Sequence, residues 1–224
     1  MSYLLEVIHT ITPRTPATFD RYVEIYEEFS VPVFNDCGWE LLGAFKLTTG
    51  DLGRDMLMIR FDSVEDREKK SAALMTDSRV THKLPEALHK AGIGIGEVVA
   101  TGRPVPYADD RRVDAEIQAS DPSRPRQFAL VRHNVTLGSQ LTAYGALETI
   151  AKNIEAVRSA RLALAYDREI GKRGMLSEVW SSPAPIDLSY RKSDADPSPY
   201  EALREAAPDG SIELLNPLPY SPLQ

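Results

Sequence analysis

Cysteine occurs once in the chain, as Cys37, which excludes a disulfide framework and a thiolate metal cage. No apolar run approaches the roughly 20 residues that cross a bilayer, so no membrane partner is expected. The opening residues, Met-Ser-Tyr-Leu-Leu-Glu-Val-Ile-His, carry neither a basic region nor a cleavage site, and a cytoplasmic location is the expectation. Basic residues are in the minority. The 26 Lys and Arg against 33 Asp and Glu leave a net charge of -7, and no basic cluster interleaves with aromatics. A phosphate backbone needs a positive surface, so nucleic acid is excluded as a partner. A serine nucleophile elbow is missing. The G-I-G-I-G at 92–96 lacks dinucleotide-loop spacing and precedes a strand instead of opening a helix. Of the four histidines, His82 and His89 have Pro85 between them and no carboxylate at a metal-like spacing, so no metal site is expected.

What is present is an ordinary hydrophobic content of 42%, enough to fill a core, and an internal echo. The stretch F-A-L-V-R-H-N-V-T at 128–136 repeats L-L-E-V-I-H-T-I-T at 4–12, with His133 answering His9. Next, G-R-D-M-L-M-I-R-F-D-S at 53–63 answers to K-R-G-M-L-S-E-V-W-S-S at 172–182. Last, R-P-V-P-Y at 103–107 answers to N-P-L-P-Y at 216–220. Three matches in one order imply a duplication.

Periodicity supports this. Residues 3–11 alternate as a strand, and Thr15-Pro16 offers an N-cap and a first-turn proline. Phe19, Tyr22, Val23, Tyr26 and Phe29 follow at helical spacing, ending near Cys37-Gly38. Trp39–Thr48 and Asp55–Asp62 read as strands around the turn G-D-L-G-R. Ser63–Met75 reads as a helix, Pro85–Lys90 as a short helical piece and Gly96–Ala100 as a strand. The second half repeats the order: strand 128–136, helix 139–156, hairpin 160–181, helix 198–206, strand 211–216. This is β-α-β-β-α-β twice. The expected class is α+β, two tandem ferredoxin-like repeats packed as a dimeric α+β barrel within one chain. The expected boundaries are 1–107 for the first repeat, a polar linker at 108–125, and 126–224 for the second.

The run T-T-G-D-L-G-R-D-M-L-M-I-R-F-D-S-V-E-D-R-E, lying after a tyrosine-rich helix and Gly-Trp, resembles the NIPSNAP family of the dimeric α+β barrel superfamily. The hairpin followed by Ser63-x-x-x-Arg67 is its most specific part. The resemblance is best over 3–107 and fainter over 126–221. The family's third-strand His-Leu-Trp is replaced by Leu57, Met58 and Ile59, so no role of that histidine is carried over. What the resemblance implies is a fold shared by cofactor-free monooxygenases, muconolactone-type isomerases, polyketide cyclases, haem-binding enzymes and non-catalytic members.

The candidate residues follow from the strand pattern. His9 shares a face with Leu5, Val7 and Ile11, and His133 with Ala129, Val131 and Val135. Each is either a satisfied structural histidine or an acid–base group. Glu178, between Leu176 and Trp180 and aligned with Ile59, is either a carboxyl whose pKa burial raises, or the partner of Arg132. His133, His9 and Glu178 are thus the catalytic candidates; Arg132, Arg60, Tyr26, Tyr144 and Trp180 are the substrate-binding candidates. For Arg60 an ion pair with Asp62 is the competing reading. For the tyrosines it is core packing.

The expected function is cofactor-independent acid–base chemistry on a small apolar carbonyl or aromatic compound, as an isomerase, lyase or monooxygenase. The alternatives are a non-catalytic barrel binding a small molecule or a protein, and a haem-binding protein, since a lone histidine can be an axial ligand. The active pocket is expected in the second half or at the junction. Edge strands make a homo-oligomer the expected assembly.

Overall fold

The computed structural model describes residues 2–50, 52–170, 174–189 and 196–224. Asp51 in the first hairpin turn and residues 171–173 in the second lie outside the described residues. The chain divides into two compact units, Met1–Thr101 with Asn216–Leu223, and Gly102–Leu215 with Gln224. These differ from the sequence-derived boundaries at two places: the end of the first repeat belongs to the second unit, and the end of the second repeat to the first.

The first unit contains β1 (Tyr3–Thr12), α1 (Pro16–Asp36), β2 (Glu40–Leu47), β3 (Arg54–Phe61), α2 (Val64–Leu74), a π-helical turn (Arg79–Lys83) and α3 (Leu84–Lys90). It also holds most of β4 (Gly94–Pro104). The helix α1 starts where Thr15 Oγ1 accepts from Thr18 N at 3.1 Å, with Pro16 in the first turn. It stops at Gly38, whose φ of 71° suits a residue without Cβ. Ser63 caps α2 through Asp66 N at 3.1 Å, and Glu65 and Asp66 complement its dipole. Between α1 and the sheet lies a core of Leu5, Val7, Phe19, Tyr22, Tyr26, Leu57 and Ile59.

The second unit repeats the order with β5 (Gln127–Asn134), α5 (Gln140–Val157), β6 (Arg161–Ile170), β7 (Met175–Ser182), α6 (Ser198–Ala206) and most of β8 (Asp209–Pro217). Its core comprises Val131, Leu147, Ile150, Leu162, Leu176 and Trp180. The stretch read as a polar linker carries a helix, α4 (Asp110–Gln118), with Val113 fully buried. Its charges are used in packing: Arg112 reaches Glu155 at 2.7 Å, and Glu116 accepts from Ser181 Oγ at 2.6 Å. A polar sequence therefore hid a docked amphipathic turn. Among the described residues no helix is long and apolar enough to cross a membrane.

Within the units the strands run β4-β1-β3-β2 and β8-β5-β7-β6, the order of a ferredoxin-like sheet. The fold class is α+β, two tandem ferredoxin-like repeats of the dimeric α+β barrel type. Register refines the duplication. His9 faces Asp55 and Val7 faces Leu57, while His133 faces Leu176 and Val131 faces Glu178. Both β2 and β6 carry a bulge at the same place, opposite Ile59/Met58 and Trp180/Val179 respectively. Glu178 therefore corresponds to Leu57, and not to Ile59 as the Met-Leu echo suggested. The two hairpins are equal in length, Lys46 facing Asp55 and Asp167 facing Leu176, so the Met-Leu echo is simply two residues out of register.

The segments after β4 and β8 also correspond. Tyr107 packs on Tyr144 of α5 with centroids 6.4 Å apart, and Tyr220 stacks on Tyr26 of α1 at 6.2 Å. On β4, a Cβ at Gly102 would come within 2.4 Å of the Asp167 backbone oxygen. Gly102→Val is expected to destabilise the protein by roughly 1–3 kcal/mol through forced strand separation, read from urea unfolding midpoints.

Candidate functional site

A cavity of about 430 Å³ lies in the first unit between the sheet and its helices. Leu5, Val7 and His9 of β1 and Leu57 and Ile59 of β3 form its floor, with Ile95, Glu97 and Val99 of β4 beside them. Tyr26 and Phe34 of α1, Arg67 and Leu74 of α2, and Trp39 enclose it. Strand alternation puts this apolar row on one face and carries His9 with it.

His9 is 3% exposed, and Asp55 and Tyr22 are wholly buried. With the ring protonated, Nδ1–H donates to Asp55 Oδ1 at 3.0 Å and to the Tyr22 oxygen at 2.9 Å. Tyr22 in turn donates its hydroxyl proton to Asp55 Oδ2 at 2.8 Å. Nε2 lies on the cavity side, 3.4 Å from Glu97 Oε2, whose side chain is 57% exposed. Burial by itself would lower the His9 pKa; the charge and hydrogen bond of Asp55, helped by Glu97, outweigh it and raise the ring to about 9. At neutral pH His9 is thus an imidazolium with one N–H directed at the cavity. The hydrogen bond to His9 holds the Glu97 carboxyl below its ordinary value, so it is ionised. Burial, and then the Asp55 charge, push Tyr22 well above its ordinary value and keep it a donor.

The second unit has a smaller cavity of about 210 Å³, lined by Val131, His133, Leu147, Glu178, Trp180 and Tyr200 among others. Glu178, 3% exposed, accepts from Tyr107 at 2.9 Å and from Trp180 Nε1 at 3.1 Å. His133 Nε2 stands 3.6 Å from its Oε2. Glu178 does not meet Arg132, and its surroundings are not the apolar slot read between Leu176 and Trp180. Two donors occupy its oxygens, one of them from the segment after β4, a contact that strand alternation cannot foresee.

His133, Glu178 and Trp180 are therefore together, whereas His9 and Tyr26 meet in the other cavity, ring centroids 5.5 Å apart. The remaining candidates line neither cavity. Arg132 is ion-paired with Glu213. Arg60 donates to Glu40 through Nε at 2.8 Å, its register partner on β2, and not to Asp62. Tyr144 donates to Asp167 at 2.7 Å. Each arginine is adjacent in sequence to an inward residue and so points to the opposite face.

Asp55 and Glu97 escaped the sequence reading. Asp55 reads only as the first residue of a strand, and the β1–β3 register pairs it with His9. Glu97 shares the alternation Ile95-x-Glu97-x-Val99, which was a usable signal. Among the described residues no group of three or more His, Cys, Asp and Glu side chains is arranged to hold a metal ion.

These features define the class: a tandem α+β barrel fold with an apolar helix–sheet cavity in each repeat. Residues 8–95 match the NIPSNAP family, so the NIPSNAP resemblance belongs to the first repeat. No curated protein matches the sequence. Among solved structures, an anthrone oxidase-like protein is similar at a TM-score of 0.60 and 15% identity, over 99% of this chain and 94% of that one. A candidate monooxygenase of Lactobacillus acidophilus NCFM is similar at 0.57 and 13%, over 97% and 94%. A chlorite dismutase of Candidatus Nitrospira defluvii is similar at 0.53 and 11%, over 97% and 91%. At these identities the likeness is one of fold.

Two outcomes follow from the buried charges. Because His9 binds its proton more tightly folded than unfolded, its contribution to stability is complete below pH 6.5 and is lost as the pH rises through about 9. That contribution is on the order of 3 kcal/mol. His9→Gln should flatten this fall in urea stability, and Asp55→Asn should bring the imidazole midpoint well below 9 by NMR titration. In the second unit, Tyr107→Phe strips Glu178 of one donor and should lower stability by about 1–3 kcal/mol in urea unfolding.

Proposed function

We propose that the first-repeat cavity binds a small, largely apolar carbonyl or aromatic compound, and that His9 and Glu97 perform acid–base chemistry on it without a bound cofactor. The observation that carries this reading is the placement of His9, braced from behind by Asp55 and Tyr22, with its Nε2 beside Glu97 on the lining of a largely apolar cavity. An oriented N–H in a water-poor site stabilises negative charge developing on a carbonyl or phenolate oxygen. Glu97, ionised and half-exposed, can take a proton from the adjacent carbon and pass it to solvent. Enolisation, isomerisation and cofactor-free oxygenation of an electron-rich ring all begin this way. The fold shared with an anthrone oxidase-like protein and a candidate monooxygenase supports the same reading.

The second-repeat cavity is half the size, and its carboxylate already has two donors. We assign His133 and Glu178 a supporting place in the fold. The competing reading is a non-catalytic binding protein, favoured by the closed hydrogen bonding of His9 to Asp55 and Tyr22.

A panel of aryl ketones, quinols and polycyclic phenols separates the two. Turnover should fall by roughly 10²–10⁴ in His9→Gln and Glu97→Gln with unfolding midpoints retained, and should decline as the pH rises through about 9. Binding without conversion across the panel would replace the enzyme with the binding protein. A Soret shift on adding haem, abolished by His9→Ala or His133→Ala, would overturn the cofactor-free assignment.

A further inference from the structure

The acid–base reading uses only one end of the first cavity. At the other end stands Arg67, the arginine of the Ser63-x-x-x-Arg67 motif. It lines the cavity with its guanidinium 5.7 Å from the centroid of the Tyr3 ring. Among the described residues no carboxylate pairs with it, whereas Lys70, one turn further along α2, is paired with Asp66 at 2.7 Å. Trp39 lines the same cavity. Its indole is clamped, stacked on Phe34 at 5.2 Å and edge-to-face with Phe61 at 5.2 Å. Its Nε1–H is buried without an acceptor. Buried donors are nearly always satisfied, so an orphan on a residue that lines a cavity points to a ligand atom as its partner.

The two residues rest on neighbouring rings. Tyr3, under Arg67, and Phe61, against Trp39, are cross-strand partners at one end of β1 and β3. His9 and Asp55 are partners at the other end. Between them the floor is apolar, formed by Leu5, Val7, Leu57 and Ile59. From Leu5 to His9 the strand advances about 13 Å, at about 3.3 Å per residue.

We propose that Arg67 and Trp39 form a carboxylate subsite, and that the ligand is an elongated monocarboxylate whose apolar body runs along β1 to His9. A guanidinium fork beside a neutral N–H matches the planar, singly charged carboxylate. The apolar floor between the two ends selects a long body over a compact one. This deepens the reading of the cavity as a ligand site and rests on it.

Decanoate, decanol and decanamide are suitable probes, titrated by calorimetry into the full-length protein at pH 7. The wild type should bind decanoate at least about tenfold more tightly than the two neutral probes. Arg67→Met and Trp39→Phe should each erase that preference while leaving decanol affinity within about twofold, and Arg67→Lys should keep part of it. Glu178→Gln, in the other unit, should change none of the three. Equal affinity of the wild type for all three probes overturns the subsite and leaves the cavity reading standing. So does a preference that survives Arg67→Met, which would mean that the His9 imidazolium holds the head. Failure of every probe to bind overturns both.

Discussion

A carboxylate with no exposure at all cannot sit in a sheet-and-helix core alone, because desolvating an unpaired charge far exceeds what the fold has to spare. Asp55 is such a group, and the first unit is arranged around satisfying it. The β1–β3 register sets His9 directly across, and the α1 spacing delivers the Tyr22 hydroxyl to its second oxygen. A slip of one residue would turn His9 to the opposite face and leave the charge unmet. The same alignment that neutralises Asp55 lays Leu5, Val7, Leu57 and Ile59 along the cavity floor. Stability and site geometry therefore rest on one register.

The duplication shows how two copies of a fold drift apart without losing it. Both retain the histidine, the bulge on the neighbouring strand and the tyrosine after the fourth strand. They differ in where the acid stands. In the first copy it lies opposite the histidine and binds Nδ1; in the second that position is Leu176, and the acid has moved along the strand to Glu178, on the Nε2 side. An acid behind the ring leaves the far nitrogen facing the cavity. An acid in front of it fills the cavity and brings its own donors, Tyr107 and Trp180. The cavity beside the histidine is the larger in the first copy.

Polarity within the first cavity follows the same logic. Its floor is apolar between two polar ends that cross-strand pairs fix: His9 with Asp55, and the Tyr3–Phe61 pair beneath Arg67 and Trp39. A ligand crossing such a space has its orientation decided by its ends and its length by the strand.

The sequence by itself determined the element order, the repeat, the helix cap at Thr15, and the inward face that carries both histidines. These are local matters of periodicity and capping, which a chain cannot disguise. It also named His9 and Tyr26, which line one cavity. Only the tertiary structure decided which partner each polar group has. Asp55 was no more than the start of a strand until the register set it against His9, Glu178 was aligned two positions away from its true counterpart, and Arg132, Arg60 and Tyr144 turned out to be held by Glu213, Glu40 and Asp167. Strand register is not written in side-chain pattern, and one such uncertainty changes every cross-strand pairing on that strand. The helix α4 stayed hidden for a related reason, since whether charges solvate a linker or bind neighbours depends on what the fold brings beside them.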